Sequence, residues 1–86
     1  NCINWHDRWA KPTMAQARKL TDKCLLGGIN EIWMENASYQ DVPRHLEEAV
    51  ENSGGRNGLI LTPGCCILLN TPQENLLTAA IAARRL

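Results

Sequence analysis

The residues best equipped for chemistry sit in one short stretch, GLILTPGCCILLNTPQEN, from Gly58 to Asn75. Cys65 and Cys66 are adjacent there, directly after a Pro-Gly break. A thiolate is both a nucleophile and a soft metal ligand. A structural zinc site, however, draws four ligands from paired spacings such as C-x2-4-C. The chain has no C-x-x-C and no H-x-x-x-H, and two adjacent thiols chelate one ion poorly. A vicinal disulfide would be strained. The chain by itself is therefore expected to hold no cofactor, and Cys65 is at most one ligand of a site completed from elsewhere.

Two further groups could act. His6-Asp7-Arg8 places an imidazole beside a carboxylate at an expected strand end. Consecutive strand residues point to opposite faces, so a polar turn competes with an acid–base role for His6 and Asp7. Gly27-Gly28, followed by Asn30, could cradle an anion, but the permissive backbone of glycine favours a tight turn. His45 is expected to be a solvated helix residue beside Arg44 and Glu47. Cys2 and Cys24 are expected to be small core residues. The chain has no Phe and one Tyr. Trp5, Trp9, Trp33, Met14 and Met34 are therefore expected to be its large packing residues.

The elements that must position these groups are legible. TMAQ (Thr13 to Gln16), SYQD (Ser38 to Asp41) and TPQE (Thr71 to Glu74) read as helix N-caps, with Gln16 and Glu74 able to close capping boxes. Helical apolar spacing follows each: Met14, Ala17, Leu20; then Val42, Leu46, Ala49, Val50; then Leu76, Leu77, Ala80, Ile81. Gly54-Gly55 is a helix stop. Before each cap lies a short apolar run: Cys2 to Trp5, Cys24 to Gly28, and Gly58 to Thr62. Continuous runs of this kind suit strands buried on both faces of a parallel sheet. The expected fold is α/β: three consecutive β-α units with a parallel sheet, in one partial domain over residues 1–86.

Three such units leave two sheet edges open and apolar faces uncovered, so the chain reads as a slice of a larger α/β structure that, folded alone, is expected to self-associate. A net charge of zero gives no case for nucleic acid or an anionic membrane surface. No run approaches the roughly 18 apolar residues of a membrane span. Four cysteines could suggest two disulfides, but an opening of NCINWHDRWA lacks the apolar core of a secretory signal. A reducing, cytoplasmic setting is the expectation.

INWHDR at one strand end, CLLGGIN at the next, and GLILTPGCCI with TPQEN at the third together resemble the uroporphyrinogen decarboxylase superfamily. The resemblance covers the whole chain and implies the last three units of a (β/α)8 TIM barrel. It implies an active site at the C-terminal ends of the strands, as barrel geometry does independently. It also implies tetrapyrrole decarboxylation or zinc-dependent methyl transfer between corrinoid and thiol. Cys65 matches a zinc ligand of the methyltransferase branch, whose other ligands, a His-x-Cys pair, are absent here. Cys66 stands where the family has glycine. The resemblance thus implies a C-terminal fragment, inactive alone, with Asp7, His6 and Asn30 near the site. The competing expectation is a stand-alone, self-associating scaffold without catalysis.

Overall fold

The structure is a computed structural model and describes residues 2–86. Strands and helices alternate: β1 (Cys2–Asn4), α1 (Met14–Leu20), β2 (Cys24–Ile29), α2 (Glu31–Asn36), α3 (Val42–Asn52), β3 (Leu59–Pro63) and α4 (Gln73–Arg84). A 3-10 turn, Tyr39–Asp41, runs directly into α3. The strands form one parallel sheet in the order β1-β2-β3, as the β-α alternation requires. This is part of an α/β barrel wall.

Alternation along the strands assigns the two faces of the sheet. Leu25 and Leu59 pack on Met14 and Ala17 of α1, while Ile29 and Leu61 pack on Met34, Val42, Leu46 and Ala79. All of these strand residues share one parity, so every helix lies on one face of the sheet. The other parity carries Cys2, Asn4 and Ile60, which are exposed, and Cys24, Leu26 and Thr62, which are half-buried. The expectation of strands buried on both faces therefore fails for β1, which is exposed along its length. In a closed barrel that bare face would be the packed interior.

Helix starts follow the sequence to different degrees. Thr13 and Gln16 form the expected capping box on α1. Ser38 accepts from the Gln40 N–H and caps the 3-10 turn, and Asp41 makes no cap bond to α3. The Thr71 cap does not form. Pro72 takes the N-cap position of α4, which leaves the Thr71 hydroxyl buried without a partner. Asn75 then occupies the third helical position, and its amide Nδ2 donates to the carbonyls of Met34 at 2.8 Å and Ala37 at 2.9 Å. It thereby ties α4 to the C-terminal end of α2. The helical face of α4 is rotated from expectation: Asn75 and Ala79 are buried, whereas Leu77 and Ile81 are exposed. With apolar residues nearly all round α4, periodicity alone could not select the buried stripe.

Gly54 and Gly55 close α3 in a Schellman arrangement, with Gly55 N–H donating to Val50 O and Gly54 N–H to Glu51 O. Gly28 is constrained twice over. Its φ of 93° lies in the left-handed region, and an added Cβ would stand 2.7 Å from the Cβ of Ala49 on α3. Gly28→Ala is expected to cost about 2 kcal/mol, read as a lower urea midpoint with an unchanged m-value.

Candidate functional site

The C-terminal ends of the three strands converge on one buried carboxylate, Glu31. It is the first residue of α2 and only 5% exposed. Its Oε1 lies 2.7 Å from Nδ1 of His6, just after β1, and accepts from Nε1 of Trp9 at 3.2 Å. Its Oε2 accepts from the Gly64 backbone N–H, just after β3, at 3.1 Å. Burial alone pushes the Glu31 carboxyl up. Bonds from its own backbone N–H, Gly64, His6 and Trp9 together outweigh burial and hold it below the usual carboxylate range.

An ionised Glu31 fixes the tautomer of His6. A carboxylate only accepts, so Nδ1 must carry the hydrogen. Nε2 has no hydrogen-bond partner among the described residues, and the His6 side chain is 35% accessible. The Trp9 ring lies against the imidazole at 4.3 Å between centroids and restricts its rotation. Gly64 makes this approach possible, because a Cβ there would stand 2.9 Å from the His6 Cα. The arrangement is a carboxylate-oriented imidazole at the end of a barrel strand, able to accept or deliver one proton. The stem of Glu31 also lines an apolar cavity of about 80 Å³ walled by Ile29, Met34, Pro63 and Leu76.

Asp7 and Asn30 bond to backbone groups of the fold, whereas Cys65 stays exposed. Asp7 is buried and its Oδ1 accepts from the Gly28 N–H at 2.9 Å. Gly27 leaves room for it, since a Cβ there would lie 2.5 Å from that oxygen. Gly27 and Gly28 lie within β2 and not in the expected tight turn, and the carboxyl group they receive is that of Asp7. The Oδ1 of Asn30 accepts from the backbone N–H groups of Ile32 and Trp33 and caps α2. Cys65 and Cys66 are exposed in the loop after β3. Among the described residues, no group of three or more His, Cys, Asp or Glu side chains could hold a metal ion. The Cys66 thiol is pushed up, first by the neighbouring Cys65 and then by burial.

His45 is the clearest correction. It is 7% exposed, not solvated, and stacks on Trp33 at 4.1 Å. Its Nε2 accepts from the Asn30 N–H at 3.0 Å. Arg8 donates from Nε to Gly28 O at 2.8 Å and from Nη2 to His45 O at 2.6 Å. With Nε2 accepting, a neutral ring carries its hydrogen on Nδ1, so the 3.2 Å approach of Arg8 Nη2 to Nδ1 sets donor against donor. Burial and then the Arg8 charge lower the His45 pKa to about 4. Burial likewise lowers the Arg8 pKa, against the opposing pull of Glu48 and Asp7.

Sequence reading missed Glu31 because it weighed His6 with its neighbour Asp7. The available signal was a carboxylate directly after the CLLGGIN strand end, the position where barrel strands present functional groups. The sequence model of the family described as uroporphyrinogen decarboxylase (URO-D) matches residues 2–86. No curated protein and no solved structure matches the chain.

Proposed function

The chain belongs to the uroporphyrinogen decarboxylase family, and on that footing we propose that its strand ends form one wall of a family active site whose other walls come from further strands. The observation that carries the reading is the His6–Glu31 pair at 2.7 Å, placed where the ends of β1, β2 and β3 meet. In this role His6 transfers a proton through Nε2, and Glu31 positions it. A decarboxylation leaves a carbanion that must be protonated, and an oriented imidazole suits that step. The substrate class is a tetrapyrrole carboxylate, or a corrinoid and a thiol on the methyltransferase-like branch that Cys65 favours. On that branch Cys65, exposed in the loop after β3, would be one zinc ligand, and the described residues supply no others around it.

The test is complementation. The chain is combined with the remaining strand–helix units of a related barrel and supplied with uroporphyrinogen, or with methylcobalamin and a thiol. Carboxyl loss is followed by chromatography and demethylation by cobalamin absorbance. The chain alone is expected to be inert. The completed barrel is expected to turn over, with His6→Ala slowing it about 100-fold. Turnover indifferent to His6→Ala would overturn the assignment.

A second reading, a self-associating scaffold without catalysis, is supported by the bare sheet face and by the outward Leu77 and Ile81 of α4. It expects an oligomer in solution and no turnover on complementation.

A further inference from the structure

Cys2 and Cys24 lie side by side at the end of the sheet opposite the His6–Glu31 pair. The parallel register makes them direct Cα partners on β1 and β2. Neighbouring strands run about 4.8 Å apart, inside the Cα separation that a disulfide spans. Residues in register project to the same face, and here that is the face without helices. Cys2 is exposed on it and Cys24 half-buried. Both are free thiols. The Cys24 thiol is pushed up first by burial and then by the neighbouring Cys2 thiol.

We propose that Cys2 and Cys24 form a redox modification site, a cross-strand disulfide made by exchange with a low-molecular-weight disulfide. The exposed Cys2 reacts first. Its thiolate attacks the reagent, one S–S bond breaks, one thiol departs, and a mixed disulfide remains on Cys2. The Cys24 sulfur then attacks the Cys2 sulfur and expels the second reagent thiol. The protein loses two S–H hydrogens, and the reagent disulfide is reduced to two thiols. The high pKa of Cys24 makes the second step the slow one, because the thiolate is the attacking form.

The bridge would act on the weakest strand. β1 has three residues, all exposed, and a single partner strand among the described residues. A staple at Cys2–Cys24 fixes the register of the two strands whose far ends carry His6 and Glu31. It does not depend on the catalytic reading of that pair.

The experiment oxidises the folded chain with oxidised glutathione and maps the linked peptides by mass spectrometry. The expected product is a Cys2–Cys24 link without glutathione, lost in Cys2→Ser and in Cys24→Ser and retained in the double variant Cys65→Ser, Cys66→Ser. The link raises Tm by roughly 10 °C, reversed by dithiothreitol. Its yield falls in denaturant, where register no longer pairs the thiols. A stable glutathione adduct on Cys2, a Cys65–Cys66 link, or only interchain bridges would each overturn the proposal.

Discussion

Replacing Glu31 by alanine is expected to destabilise the chain by about 3–4 kcal/mol, the largest single effect at the candidate site. The substitution strands three donors: Nδ1 of His6, Nε1 of Trp9 and the Gly64 N–H. Water can reach the partly exposed His6 and Trp9. The Gly64 N–H is buried and loses its only acceptor among the described residues. A buried donor left unpaired costs about 1–3 kcal/mol, and the cavity beside Glu31 widens as well. Against the roughly 4–13 kcal/mol expected for a domain of this length, such a loss lowers the urea midpoint strongly. Glu31→Gln keeps one acceptor oxygen but turns an amide N–H₂ toward a donor, so it should recover only part of the loss. A Glu31→Ala variant within 1 kcal/mol of the parent would mean that the convergence of the three strand ends is not held by this carboxylate.

Acidification is the second large effect, and its sign is set by His45. Its folded pKa is about 4, against an ordinary 6.5. The unfolded chain therefore binds the proton first, and stability falls as pH drops from 6.5 through 4. The contribution is fully present above 6.5, and its loss is complete below about 4. It amounts to about 3 kcal/mol. The cause is visible in the geometry: protonation of Nε2 would break its bond from the Asn30 N–H and put a second positive charge beside Arg8. Glu48, 3.8 Å from Arg8, offsets little because its side chain is half-exposed and the pair is screened by water. Glu31, also held below its ordinary range, adds acid lability at lower pH. Urea midpoints at pH 7, 5.5 and 4.5 read the slope. His45→Gln keeps a neutral acceptor for Asn30 and should flatten it between 6.5 and 4. A parent chain equally stable at pH 7 and 4.5, or a His45→Gln variant with the parent's slope, would contradict the buried-neutral assignment.

The two effects meet in one stretch of chain. Asn30 and Glu31 follow directly after β2. The backbone N–H of Asn30 is held by His45 from α3, and the Glu31 carboxylate by His6 and Gly64 from the neighbouring strand ends. Loosening α3 at low pH therefore reaches the His6–Glu31 pair through two adjacent residues.

The sequence by itself determined the three strands, the helices α1, α3 and α4 between and after them, the parallel sheet, the capping box at Thr13, the stop at Gly54-Gly55 and the family. Each rests on local spacing within a few residues, or on motifs that survive as strings. It did not reveal α2, because Asn30 looked like a site residue and its capping oxygen serves a helix of only six residues. Nor did it locate the Thr71 failure, where Pro72 moves the helix start by one position. Only the tertiary structure decided which groups meet. Glu31 reaches His6 across 25 residues, Asp7 reaches Gly28 across 21, and His45 reaches Asn30 across 15. Cys2 meets Cys24 through strand register alone. These pairings depend on how far one parallel strand slides past the next, and on which face of α3 turns inward. A slip of one residue would reverse every face, and no local pattern in the chain encodes that slide.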